Sequence, residues 1–447
     1  METPICDFVR DYVSRDALRL HMPGHKGTSL LGMEHLDITE IDGADSLYEA
    51  SGIISESEQN AGRLFGCQTF YSTEGSSHCI RAMLYLATIH AKLFGQLPRI
   101  AAARNVHKAF LSAAALLDLD VMWLYPENRD SILSCQIQPD TLDHLLDITP
   151  QKPAAVYLTS PDYLGNLADI SSIAAVCHRH GILLLVDNAH GAYLRFLEKS
   201  LHPMDLGADL CCDSAHKTLP ALTGGAYLHL TPGLEATLAP HAKRALALFG
   251  STSPSYLTLQ SLDAVNAYLE GYPEQLRNFT AKCRILKQAL SDRGYVLSGQ
   301  EPLKLTISAR PYGYLGTELA QHLLENNIVW EFADPDHLVL MLTPEIRDAQ
   351  LQQLYTVLSG VPKKAPILKL PPLPCRGKTV LAIRDAMFSV PEIVSVEESA
   401  GRILAEPSVS CPPAVPILVC GEQIDQSAIR CFQYYGIRSV SVVKERH

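Results

Sequence analysis

The sequence predicts an α/β protein: a large domain built on a mostly parallel sheet, followed by a smaller α/β domain toward the C-terminus. Three observations lead there. At 447 residues the chain is too long for one hydrophobic core, because single cores rarely grow past about 250 to 300 residues. An apolar strand, a turn and an amphipathic helix recur along its middle, the signature of βαβ units. The strands read as continuous apolar runs, as in parallel sheets that helices cover on both faces.

Taken in chain order, residues 1–55 form an N-terminal segment and residues 56–262 the large domain. "STEGSSH" precedes a helix with Ile80, Met83, Leu84 and Ala87 on one face. "RIAAARNVHKAFLSAAALLDLDVMWLYP" reads as strand, helix and strand, and "AAVYLTSPDYLGN" leads through a helix opening near Asp169 to the strand "ILLLVDNAH". In that helix Ile170, Ile173, Ala174 and Cys177 fall at helical spacing, Asp169 is placed to cap the start and Gly181 to close the end. From Ser255 to about Gly294 the pattern turns helical, a connector into a small domain over 263–362 with strands at "LKLTIS" and "HLVLML". A Pro-rich stretch, 363–376, reads as an extended linker, since Pro continues neither helices nor central strands. The C-terminal segment, 377–447, is open to reading as a third lobe or as a returning arm. No repeat of solenoid length is present.

Composition excludes several functions. With 37 basic and 48 acidic residues the net charge is −11, and no Lys/Arg run occurs, which argues against a nucleic-acid partner and weakly favours cationic small molecules. The longest apolar stretch, "GILLLV", falls far short of the roughly 20 residues of a membrane helix. The N-terminus "METPICDFVRDYVSRD" carries no cleavable signal pattern, so a cytoplasmic protein with no membrane partner is expected. Twelve cysteines without a C-x-x-C pair indicate neither zinc nor a disulfide framework. "GHKGTS" has its Lys in the wrong place for a phosphate loop. Pro23 and Gly24 would break the helix that a metal-binding His21/His25 pair requires. No G-x-S-x-G elbow is present. No metal is expected.

Four positions remain, each where an open α/β sheet binds ligands, past the carboxyl ends of strands. Lys217, in "DLCCDSAHKTLPALTGG", is placed to form a Schiff base with a carbonyl cofactor. Asp187 ends the buried run "ILLLV" and needs a partner, which a protonated pyridine nitrogen would provide. The turn "STEGSSH" offers Ser76, Ser77 and free N–H groups to a phosphate. His107, after the strand "RIAAA", is placed to lie over an aromatic ring. Taken singly, each has an ordinary alternative: a surface lysine, a helix cap or loop salt bridge, a serine cap and a loop histidine. Asp187 and Lys217 end what read as successive strands, as a cofactor bridging them would require.

Together these residues resemble the ornithine/lysine/arginine decarboxylase family of fold type I pyridoxal-phosphate enzymes. The resemblance runs through "LRLHMPGHKG", "STEGSS", "VHKA", "TSPDYLGNLADI", "VDNAHGAY", "GADL", "SAHKTLPALT", "FGSTSPSY", "LKLTI" and "CPPAVPILVCGE". It implies an aspartate aminotransferase-like large domain and a cofactor, pyridoxal 5'-phosphate, held by Lys217, with Asp187 on its ring nitrogen and His107 stacked on its face. By the same resemblance Ser76, Ser77 and Ser214 meet the phosphate, His190 and His216 lie beside the ring, and Thr252 or Ser253 reaches the phosphate of a neighbouring subunit in a homodimer. The implied reaction is decarboxylation of arginine, lysine or ornithine for polyamine biosynthesis, with His216 or Lys217 as the proton donor. Glu331, after "IVW", is placed near the distal cation of the substrate. Aminotransfer, lyase chemistry and cofactor binding without turnover are the alternatives on the same scaffold. The chain looks like the short form, without the extra N-terminal domain of the large inducible members. It departs from them at Gly224, where they commonly carry Gln.

Overall fold

The computed structural model describes residues 1–126, 133–374, 376–406, 408–411 and 415–445. Cys375 of the Pro-rich stretch and residues 412–414 of "CPPAVPILVCGE" lie outside the described residues. Seven strands, β1 Gln68–Ser72, β2 Arg99–Ala103, β3 Asp120–Leu124, β4 Ala155–Thr159, β5 Leu183–Asp187, β6 Leu210–Asp213 and β7 Ala226–Leu230, form one sheet in the order β1-β7-β6-β5-β4-β2-β3. The helices over the same part of the chain and its connector are α1 Pro4–Ser14, α2 Ile53–Phe65, α3 Ser76–Leu93, α4 Lys108–Leu117, α5 Pro139–Ile148, α6 Ile170–Arg179, α7 Ala215–Thr218, α8 Glu235–Phe249, α9 Tyr256–Tyr268 and α10 Tyr272–Asp292. The chain divides into two compact units, 1–98 with 154–157 and 170–277, and 99–153 with 158–169 and 278–447.

In the first unit β5 and β6 run parallel with Asp187 opposite Cys212. β7 returns antiparallel to β6, placing Asp213 opposite Tyr227, and β1 lies antiparallel to β7 with Thr69 opposite His229. Helix α6 forms where its periodicity predicts: Ile170, Ile173, Ala174 and Cys177 are all buried. Gly181, with φ +67°, turns the chain from α6 toward β5 in the left-handed region that costs glycine least. Helix α3 buries Ile80, Met83, Leu84 and Ala87, the face read from the sequence. Ile80, Met83 and Leu84 each contribute about 1.5 to 3 kcal/mol when fully buried.

The second unit holds the parallel pair β2–β3 and a four-stranded antiparallel sheet. Its strands are β8 Val296–Ser298, β9 Lys304–Ser308, β10 Phe332–Ala333 and β11 His337–Met341, in the order β10-β11-β9-β8. Strand β3 departs from the expectation of two covered faces. It ends the sheet order, and only Leu124 of its five residues is buried. The helical connector read from Ser255 to about Gly294 consists of two helices, α9 and α10. Residues 361–374 are neither helix nor strand, as their prolines require. The C-terminal segment has its own buried cluster, including Leu404, Ile417, Phe432, Val440 and Val442. No helix among the described residues is long and apolar enough to cross a membrane.

Candidate active site

Strands β5 and β6 of the first unit end side by side, and the candidate residues follow from that. Asp187 is the last residue of β5, 3% exposed. A carboxylate so placed must be compensated. Its Oδ1 accepts from the Ala189 N–H at 3.2 Å and the Cys212 thiol at 3.7 Å, and its Oδ2 accepts from the Tyr157 hydroxyl at 3.2 Å. Burial pushes the Asp187 carboxyl above the usual carboxylate value, while the Lys217 charge and these donors pull it back. Neither Tyr157 nor Cys212 was singled out from the sequence; both are polar atoms inside apolar strands, which periodicity reads as core.

Past β6, Ser214 leads into the single turn of α7, which carries His216 and Lys217. Lys217 is half-buried, with its Nζ 3.1 Å from Nε2 of the buried His190. Nδ1 of His216 lies 2.9 Å from the Gly225 carbonyl. A carbonyl only accepts, so Nδ1 carries the hydrogen and Nε2 of the neutral ring is an acceptor. Burial holds His216 below the ordinary imidazole value, and the Lys217 charge adds to this against the pull of Gly225.

The turn before α3 lies beside these groups. Ser76 is buried and accepts from the Ser214 hydroxyl at 2.7 Å, while Ser77 is half-buried in the same first turn. Gly75 has φ +73°, and a Cβ there would lie 3.8 Å from Cε1 of His216. The Gly75 N–H donates to the Gly224 carbonyl at 2.8 Å. Gly224 itself has φ +97°, and a Cβ on it would come within 2.5 Å of the Thr73 carbonyl oxygen. At position 224 only glycine lets the two turns touch. Glu74 extends the contact by accepting from the Ser251 N–H at 2.6 Å. Thr252 and Ser253 follow on the same loop, both exposed.

Beneath the strand ends lies a polar network that the sequence reading did not include. Asp213, 0% exposed, accepts through Oδ2 from His202 at 2.9 Å and His229 at 3.1 Å, and through Oδ1 from Asn188 at 2.6 Å. His229 continues to Thr69 at 2.9 Å. Burial alone would raise the Asp213 carboxyl, but His202 and His229 outweigh it and hold it well below the usual range. His229 is held above the ordinary imidazole value: burial lowers it, and Cys67 and then Asp213 raise it further.

The two remaining candidates lie in the second unit. His107 caps α4, its Nδ1 accepting from the Ala109 N–H at 3.1 Å. Glu331 is exposed and accepts from the Tyr163 hydroxyl at 2.7 Å.

Comparison with known proteins shows what the chain is similar to. The major domain of the Orn/Lys/Arg decarboxylases matches residues 3–298, and their C-terminal domain matches residues 378–440. Arginine decarboxylase of Halalkalibacterium halodurans is 28% identical, over 95% of this chain and 92% of the relative. Arginine decarboxylase of Bacillus subtilis is also 28% identical, over 96% and 92%. Among solved structures, the lysine decarboxylase LdcF of Francisella novicida superposes with a TM-score of 0.80 at 16% identity, covering 99% of this chain and 81% of that one. The constitutive lysine decarboxylase of Escherichia coli superposes with 0.77 at 17%, covering 99% and 82%. With the family's major domain matched over more than half of its length, this chain belongs to the Orn/Lys/Arg decarboxylase family of fold type I, pyridoxal-phosphate-dependent amino-acid decarboxylases.

Proposed function

We propose that the chain releases the α-carboxylate of a basic amino acid, arginine, lysine or ornithine, as carbon dioxide and yields the corresponding amine. The observation that carries this reading is the half-buried amine of Lys217 against His190, one strand over from the buried, donor-ringed carboxylate of Asp187. The residues present fit pyridoxal 5'-phosphate. They offer an amine for its aldehyde, a carboxylate for its ring nitrogen, and for its phosphate the hydroxyls of Ser76 and Ser77 at the N-terminus of the 18-residue helix α3 with that of Ser214 beside Ser76. When bound, the cofactor supplies an aldehyde that captures the substrate amine and a ring that takes up the electron pair left as carbon dioxide departs.

The rest falls to the side chains. Lys217 binds the cofactor and yields its place to the substrate, with His190 exchanging a proton at Nζ. Asp187 holds the ring nitrogen protonated. Of the two proton donors the sequence allows, Lys217 is the better, because His216 is biased toward its neutral form with Nε2 as an acceptor. The arginine decarboxylases among the relatives support a basic amino acid as substrate. The test is direct: purified protein with pyridoxal 5'-phosphate is incubated with arginine, lysine and ornithine in turn, and carbon dioxide, amine and keto acid are measured. At least one should give carbon dioxide and amine in equal amounts. Keto acid without carbon dioxide would replace the reading with aminotransfer.

A further inference from the structure

Asp187 does more than sit at a strand end. Burial drives a carboxyl to keep its proton, and burial is the largest influence on Asp187. If Asp187 held the proton itself, a ring nitrogen beside it would be left neutral and the ring would be a weaker electron sink. The groups that face Asp187 decide this balance: Lys217, the Ala189 N–H, Tyr157 and Cys212. Tyr157 is 0% exposed on β4, and its hydroxyl donates to Oδ2 at 3.2 Å, while the Ala189 N–H and the Cys212 thiol meet Oδ1. Burial, then the negative charge of Asp187, then Cys212 push the Tyr157 hydroxyl well above the ordinary phenol value, so it stays protonated and remains a donor at any working pH. The Cys212 thiol is likewise pushed well above its ordinary value, by burial and then by Asp187.

We propose that Tyr157 is a positioning residue whose hydroxyl holds Asp187 as an oriented carboxylate and thereby keeps the ring nitrogen of bound pyridoxal 5'-phosphate protonated. This rests on the reading that Asp187 pairs with that nitrogen. Hydrogen bonds to a charged acceptor in a buried site are worth more than neutral ones, so losing this one shifts the proton from the ring toward Asp187. Tyr157→Phe removes the hydroxyl and keeps the ring that packs in the core.

The experiment loads wild type and Tyr157→Phe with pyridoxal 5'-phosphate labelled with ¹⁵N in the ring and records the ring-nitrogen chemical shift, with kcat and KM measured alongside. The shift should move toward that of an unprotonated pyridine, kcat should fall about tenfold or more, and KM should change little. Tyr71→Phe is the control for a merely structural effect: Tyr71 is equally buried, and its hydroxyl is bonded to Ser57 and Asn266. It should lower the melting temperature without moving the ring signal. Should Tyr157→Phe fail to fold, 3-fluorotyrosine at position 157, a stronger donor of nearly the same shape, should move the signal the opposite way. A ring signal unmoved by either replacement, or moved equally by Tyr71→Phe, overturns the inference. Failure of the wild type to bind the cofactor at Lys217 would instead overturn the functional reading beneath it.

Discussion

Asp187→Asn should keep the cofactor and lose most turnover, by about 10²- to 10³-fold in kcat. The amide retains the size of the carboxylate, and its single oxygen can still accept from the Ala189 N–H and the Cys212 thiol while its NH2 faces the Tyr157 hydroxyl oxygen, so the strand end should remain in place. What it loses is the negative charge that keeps a proton on the ring nitrogen. Removing a group that stabilises charge in a dry site costs on the order of 3 to 4 kcal/mol in the barrier, and each decade of rate is about 1.4 kcal/mol. The loss should fall on kcat more than on KM, because the charge acts when the carboxylate leaves and not when the amino acid arrives. Steady-state kinetics with the cofactor content measured by absorbance checks this, and a variant that turns over at nearly the wild-type rate would remove Asp187 from the chemistry.

Asp213→Ala should have the largest effect on stability, about 3 to 5 kcal/mol, because it strips a buried carboxylate from three donors and leaves His202, His229 and Asn188 facing an unfilled space. The loss should depend on pH in a definite direction. The Asp213 carboxyl is held below its unfolded value of 3.8, so its contribution is complete above that pH and disappears as the pH falls through the folded value. His229 is held above its unfolded value of 6.5, so its contribution is complete below that pH and disappears as the pH rises through the folded value. The gap between wild type and variant should therefore be widest between pH 3.8 and 6.5 and narrow on both sides. Urea unfolding of the apo-proteins at several pH values measures it. An unchanged midpoint across that range would mean that the network contributes nothing to the fold.

Local features made Lys217 and Asp187 readable in the sequence. Asp187 ends an apolar run and Lys217 follows shortly after the next one, and the βαβ rhythm sets those runs in adjacent parallel strands, with Asp187 opposite Cys212. Helix α6 was equally legible, because four apolar residues at helical spacing leave a single way to bury them. What the sequence could not show depends on pairings between distant segments. The Asp213 network needs β7 antiparallel to β6 and β1 antiparallel to β7, so that His229 and Thr69 meet. Tyr157 lies between Val156 and Leu158, and Cys212 follows Leu210 and Cys211, and only the position of Asp187 turns their polar atoms into a site. Strand β3 was read as covered on both faces because its residues are apolar, yet its place at the end of the sheet leaves it partly exposed. The left-handed backbone of Gly224 and the close approach of Thr73 likewise come from the meeting of two distant turns.

The central claim is that Lys217 carries the cofactor, and reduction with borohydride tests it most directly. The protein, saturated with pyridoxal 5'-phosphate, is reduced, digested and mapped by mass spectrometry. The pyridoxyl group should be found on the peptide containing "SAHKTL", at Lys217, in stoichiometric amount. Its appearance on Lys26 or Lys108 instead, or on no lysine at all, would contradict the account.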